Sequence, residues 1–486
     1  MVPEATVGVS ETPSPPAEGP VAVPPGGASA QLLRNLRLVT YAWGFGAVWM
    51  YIATGAALTQ YAKLLGMPEY GFGLLAALPY AGTVAQFPAS YIIGKFGHRK
   101  ALFITAGLIH RALWIVIAAI PVLFPEPARW KALLVLIGGS SLAAHTSTPG
   151  VLAMFGDLVP SRVRGRYFSR RSQLGQISGL ITATTVGYAL DWAKAEGTQA
   201  LHTSLCAILV TAGVLGMIDY AILILVRGER DSLPDRSIRF LAMLKVPFAD
   251  TNFRWYLAFN ATFIFGIGFI GQYIWLYAFD VVHLSNMVAN LMLVTVPLTV
   301  AMVSLPFWGR LIDRYGRRPV LLIAGVFVIN GAVAWAFITE SNWWFGYPIG
   351  ILAMFGFPGL DLASFNLMFQ LTTAPGTRRQ NSAYIAANSA VVSLAGILSG
   401  AFGGWFAGHF THWQGSLFGW PLTYHGLLFF ISGFFRALSL VFIWRITDRN
   451  AMSLTRTLRH ISMAAQDRLR LPHRRVAPHK PPLTGP

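Results

Sequence analysis

Gly309-Arg310-Leu311-Ile312-Asp313-Arg314-Tyr315-Gly316-Arg317-Arg318 is the stretch whose reading decides the fold. It is a dense charged turn between two long apolar runs, Val288 to Trp308 and Pro319 to Ile338. Each run is about 20 residues, long enough to cross a bilayer as a helix. A tight link between two such spans must reverse the chain at the membrane surface. Gly309 and Gly316 permit close backbone approach and positive φ there. The arginines hold the turn on the cytoplasmic side. Asp313 can pair with them, or with the N-terminal end of a neighbouring helix, where the macrodipole favours negative charge.

The whole composition agrees with a membrane protein. The chain has 486 residues, 54% hydrophobic and only 12% charged. Soluble domains are about 25% charged. The single cysteine, Cys206, allows no internal disulfide and reads as a small buried hydrophobe. A formal net charge of +18 would suggest nucleic acid in a soluble protein. Here the positions of the charges decide otherwise. On a twelve-span reading, 31 of the 37 Lys+Arg fall on one side, the side that also holds both termini. That is the positive-inside rule, so both termini are expected in the cytoplasm. No nucleic-acid partner is expected; the bilayer is.

The quoted stretch resembles the signature loop of the major facilitator superfamily of transporters, G-x-L-x-D-[RK]-x-G-R-[RK]. Gly309, Leu311, Asp313, Arg314, Gly316, Arg317 and Arg318 match it. A plain basic hairpin would explain the arginines but not the spacing of the glycines and aspartate. A degraded copy lies 219 residues earlier, Ser90-Tyr91-Ile92-Ile93-Gly94-Lys95-Phe96-Gly97-His98-Arg99-Lys100, aligned on Gly97. There Ser90 replaces the first glycine and Gly94 stands in the aspartate's place. A repeat at this spacing implies two homologous halves, as the superfamily has.

The resemblance covers residues 31–446. It implies an all-α membrane protein, with twelve transmembrane helices in two pseudo-symmetric six-helix bundles. The spans are expected at 36–60, 69–93, 100–120, 131–155, 172–192, 203–226, 253–280, 287–311, 317–339, 343–368, 381–406 and 422–446. That gives a disordered tail (1–30), an N-terminal bundle (31–226), a cytoplasmic linker with a surface helix (227–252), a C-terminal bundle (253–446) and a basic cytoplasmic tail (447–486). In the tail, Leu454, Leu458, Ile461, Ala465 and Leu469 recur at helical spacing, which fits a helix lying on anionic lipid or a solubilising tail.

A second motif follows span 4. Asp157-Leu158-Val159-Pro160-Ser161-Arg162-Val163-Arg164-Gly165 looks like the superfamily's D/E-x-x-P-x-x-x-R-G element. Its counterpart runs from Gln370 through Pro375 to Arg378 and Arg379, the acid having become Gln370. One half keeps Asp157 and the other keeps Asp313. The expected role is a set of cytoplasmic ion pairs that hold the outward-open state.

Ionisable residues inside the spans are few: Arg111, His145, Asp219, Asp361 and Arg436. Such groups are costly in hydrocarbon and mark function by default. The resemblance puts spans 1, 4, 7 and 10 around a central cavity. His145 with Thr148 on span 4, and Asp361 on span 10, are therefore cavity candidates. So are Gln176, Gln272, Tyr273 and Asn388. A carboxyl group in such a cavity can load and release a proton. Arg111 and Asp219, on outer spans 3 and 6, read as a structural ion pair.

The function implied is secondary active transport of a small organic solute by alternating access, with the proton as candidate coupling ion. Efflux of drugs or metabolites would use the same fold, although span 5 lacks the Gly-Pro pair typical of drug/proton antiporters. A lipid-handling membrane protein and a non-transporting solute sensor are the other readings. No metal cluster, nucleophile elbow or CxxC points to an enzyme. No cofactor or metal is expected, and a monomer in a bacterial-type inner membrane is the family default.

Overall fold

The computed structural model describes residues 26–160, 163–227, 247–372, 381–417, 419–448 and 451–469. Twelve helical segments run back and forth in two bundles of six. α1 covers Gly26–Thr54 and continues past Gly55 as Ala56–Leu64. It begins before Gln31, where order was expected to start; residues 1–25 lie outside the described residues. α2 is Glu69–Gly82, continued through a tighter turn at Thr83–Ala85 into Gln86–Phe96. α3 is Arg99–Ala118, α4 Glu126–Leu158, α5 Arg164–Glu196 and α6 Thr198–Ile224.

In the second bundle, α7 is Thr251–Gly268, broken and resumed as Tyr273–Asp280. Asp250 starts it by accepting from the backbone N–H groups of Asn252 and Phe253, at 2.9 and 3.1 Å. α8 runs Asn286–Tyr315, with a wide turn at Leu291–Thr295. α9 is Arg317–Ala334, α10 Gly346–Thr372, α11 Asn381–Phe410 and α12 Tyr424–Arg445. A two-stranded hairpin, β1 Gln414–Leu417 and β2 Trp420–Thr423, joins the last two. It departs from a purely helical reading. α13, Leu454–Leu469, follows in the tail.

The packing repeats between the bundles. α3 packs on α4 and α6, as α9 packs on α10 and α12. α1 packs on α5 and α6, as α7 packs on α11 and α12. The bundles meet through α2 against α11 and through α5 against the start of α8. Eight described helices are by themselves long and apolar enough to cross a membrane: α3, α6 and all six of the second bundle. The other four are shorter in their unbroken segments or more polar. α1 bears Arg34 and Arg37, α2 is interrupted at Thr83, α4 holds the polar run His145 to Thr148, and α5 opens on arginines.

Both signature turns sit at one end of the molecule, called here the signature end. Gly97 (φ +77) and Gly316 (φ +90) are left-handed, which only glycine adopts cheaply. The expected surface helix of the linker falls on 228–246, outside the described residues. So do residues 373–380, with Pro375, Arg378 and Arg379.

Candidate functional site

A cavity of about 790 Å³ lies between the bundles, in the half of the molecule nearer the signature end. α5 gives it Ser169, Ser172, Gln173 and Gln176, spaced so that all share one helical face. α10 gives it Asp361, Phe365 and Met368 at the same kind of spacing. α7 and α11 meet there through Asn260, whose amide donates to Asn388 Oδ1 at 2.8 Å. Tyr256 reaches Ser364 across 3.2 Å on the same wall. Pro306 and Pro358 interrupt the hydrogen-bond ladders of α8 and α10 beside the space.

Asp361 is the one charged side chain among the described lining residues, and it is exposed to the cavity. No hydrogen-bond or ion-pair partner faces it among the described residues. A lone carboxyl group in a mostly apolar, amide-lined space is expensive, so it is a functional candidate.

Of the candidate cavity residues, Asp361, Gln176 and Asn388 come together here. The others lie elsewhere. His145 hydrogen-bonds the Gln86 side chain at 2.8 Å, tying α4 to α2, and Thr148 bonds back to Ala144 O at 3.1 Å. Gln272 and Tyr273 sit beyond the break in α7, at the end opposite the turns. There Thr59 donates to Gln272 Oε1 at 2.9 Å, and the fully buried Tyr273 donates to the Glu69 backbone carbonyl at 3.1 Å. Their distance along α7 from Ile264, the last α7 residue lining the cavity, puts these two residues in a seal instead.

That seal was not visible in the sequence. Asp191 at the end of α5 accepts from the backbone N–H and side-chain amide of Asn286, at 2.7 and 2.9 Å, and from Met287 N–H at 2.9 Å. Gln60 donates to Asn286 Oδ1 at 2.8 Å. Lys63 pairs with Asp280, and Tyr424 donates to the Glu69 carboxylate. Gly73 of α2 lies against the backbone of Gly400 and Gly404 of α11, leaving no room for a Cβ. The bonds joining the bundles cluster at this far end.

The signature end is arranged differently. Arg99 Nη2 pairs with Asp157 at 2.7 Å, inside the first bundle. Arg317 Nη1 donates to Gln370 Oε1 at 2.9 Å, inside the second. Arg317 also meets Asp448, by its N–H at 3.3 Å and its guanidinium at 3.7 Å. Arg318 donates to Trp444 O at 2.9 Å. Asp313 and Arg314 are exposed, and Asp313 has no ion-pair or hydrogen-bond partner among the described residues. Arg164 and Gly165 lie in the first turn of α5.

Arg111 Nη2 stands 3.4 Å from Asp219, both buried, with the guanidinium 3.8 Å from the ring centre of Trp49. Arg436, also buried, donates to Val328 O at 3.1 Å.

Two six-helix bundles, sealed at one end around an amide-lined cavity nearer the other, define a membrane transporter of the alternating-access class. The comparisons agree. The family model of the Major Facilitator Superfamily matches residues 38–400, and the chain belongs to that family. Among solved structures it is similar to the nucleoside transporter NupG, at 12% identity and TM-score 0.62, covering 85% of this chain and 98% of that one. It is similar to the xylose transporter XylE from E. coli, at 14% and 0.58, covering 87% and 100%. A bacterial homologue of the iron transporter ferroportin gives 15% and 0.61, covering 86% and 98%. At such identities these likenesses speak for the fold. No curated protein matches the chain.

Proposed function

We propose that this secondary transporter carries a small, mostly neutral polar solute through the cavity, with Asp361 as the proton-carrying group. The single observation behind this is the lone cavity carboxylate of Asp361, surrounded by the neutral donors and acceptors of Gln173, Gln176, Asn260 and Asn388. Amides and hydroxyls suit a solute rich in hydroxyl groups. Similar structures include transporters of nucleosides and of xylose, which makes those classes the first to try.

The basic bias of the loops supports a signature end in the cytoplasm of a bacterial-type cell, with both termini on the same side. The described state is then closed outside and open inside. Asp313, exposed and without a partner among the described residues, fits the same picture. When the cytoplasmic side closes, Asp313 and the arginines of the turns find partners across the bundles. Those pairs bias the equilibrium only by their difference in energy between the two states.

The test is a thermal-shift screen of the purified protein against solute classes at two pH values, followed by flux in proteoliposomes. A ligand of the native state must raise its stability. A hydroxylated solute that raises the melt and crosses the membrane supports the reading. Stabilisation by phospholipids alone, with lipid exchange between leaflets, overturns it.

A further inference from the structure

After α12 the chain stays against the second bundle at Thr447 and Asp448 and again at Ala451 and Met452. Thr447 and Asn252 exchange two hydrogen bonds, Thr447 N–H to Asn252 Oδ1 at 2.8 Å and Asn252 Nδ2 to Thr447 O at 3.1 Å. Asp448, with its side chain wholly buried, holds the first N–H of α9 and the guanidinium of Arg317. Met452 N–H then donates to Tyr315 O at 2.9 Å. The Cα of Ala451 lies 2.6 Å from where a Cβ on Gly316 would stand. The tail is thus strapped across the signature turn.

α13 follows with one side committed to this seat. Leu454 packs against the core of the second bundle, Thr457 is fully buried, and Ile461 is half-buried, at spacings of three and four. Of its other described side chains, His460 meets the Tyr315 ring edge-on, and Thr455, Ser462 and Met463 are exposed. Leu458 is 49% exposed beside the apolar line, and Arg456 and Arg459 are exposed on the face away from it.

Exposed and half-buried tryptophans lie at this end of the bundle. Trp444, 57% exposed at the end of α12, and Trp255 at the start of α7 sit where interfacial tryptophans sit. Arg445 lies 5.7 Å from the Trp255 ring centre, and Arg318 5.8 Å from that of Trp444. Arg254, Arg310 and Arg314 are exposed on the same end of the bundle. Of the acids at this end, Asp448 and Asp250 are engaged, and Asp313 is left exposed beside Arg310 and Arg314, so the arginines outnumber the acids open to them.

We infer that the free face of α13 docks on the bilayer surface, with Arg456 and Arg459 binding the phosphates of anionic phospholipids. The charge is complementary, Leu458 supplies an apolar anchor, and the strap at Asp448 keeps the start of the helix at the signature end of the bundle, beside Trp444.

The test needs no transported solute. The full-length protein is placed in nanodiscs of phosphatidylcholine, or of phosphatidylcholine mixed with phosphatidylglycerol. Hydrogen exchange is then followed over residues 454–463. Anionic lipid should slow exchange there by roughly tenfold or more, the effect expected of two arginines at a charged surface. In Arg456→Gln/Arg459→Gln the two lipids should give equal rates, while the melt of the bundles is unchanged. Equal rates in the native protein, as for a helix facing water or a soluble acidic partner, overturn the inference. So does a lipid effect that survives the double substitution.

Discussion

Asp191 and Asn286 belong to different bundles, yet the carboxylate of the first caps the helix that the second begins. It accepts the two opening N–H groups of α8 and the Asn286 side chain. The positive end of the α8 dipole adds to the attraction. Hydrogen bonds to a charged group contribute about 1.5–3 kcal/mol each when desolvated. Opening the far end must break all of them together.

We therefore expect Asp191→Ala to populate the state open at that end. The reporter is Ala289→Cys in a Cys206→Ser background, since Ala289 is fully buried behind the seal. Modification by a membrane-impermeant thiol reagent should speed up by roughly tenfold, as for a shift of about 1.4 kcal/mol. An unchanged rate would remove Asp191 from the gate.

Gly73 offers a second way to pry the same end. A Cβ there would run into the backbone of Gly404 and Gly400, which cannot move aside as a side chain can. Overpacking typically costs about 1–3 kcal/mol. Gly73→Val should lower the melting temperature or raise the reactivity of Ala289→Cys. If neither changes, the contact is softer than its geometry implies.

The sequence made the fold legible because membrane spans and signature turns are local patterns. Gly309 to Arg318 needs no partner to be recognised. The Arg111–Asp219 pair was readable for the same reason, as two charges without water on outer helices. The seal was not. Asp191, Gln60 and Asn286 are ordinary residues at helix ends, and only the meeting of two bundles gives them work. Gln272 and Tyr273 read as cavity residues because they are polar groups on span 7, but they lie eight and nine residues beyond Ile264, where α7 last lines the cavity, and so belong to the sealed end. The repeat also hides a shift. Aligning glycines sets Arg99 opposite Arg318, whereas Arg99 and Arg317 are the residues that open their helices and reach Asp157 and Gln370. A turn shorter by one residue in the second bundle accounts for it.

That equivalence predicts a stabilising substitution. Asp157 gives Arg99 a charged partner, while Gln370 gives Arg317 a neutral one. Gln370→Glu would turn the 2.9 Å hydrogen bond into an ion pair in a half-buried site. A gain of about 0.5–1 kcal/mol is expected, read as a higher melting temperature. A lower one would mean that Asp448 already satisfies Arg317.

Arg111 and Asp219 should behave as a buried unit. Gly216 lies against the Arg111 side chain and Gly46 against the Asp219 carboxylate, so neither side chain can move far. Asp219→Asn strands a buried guanidinium and should cost about 3–5 kcal/mol. Arg111→Met with Asp219→Leu should cost less than Asp219→Asn alone, because no charge is then left unpaired. Thermal melts in one detergent decide the order, and a single variant milder than the double would show that the two do not act together.

Asp361 carries the argument about coupling. If its carboxyl takes the proton that travels with the solute, Asp361→Asn must uncouple the two without destroying the cavity, since asparagine keeps the shape and cannot titrate. Uptake driven by a proton gradient should then vanish. Exchange of labelled for unlabelled solute, which needs no net proton movement, should continue, and its rate should lose its dependence on pH. Accumulation against a gradient in Asp361→Asn would place the proton elsewhere. Loss of exchange as well would make Asp361 a solute ligand, with the carboxylate bonded to the cargo itself.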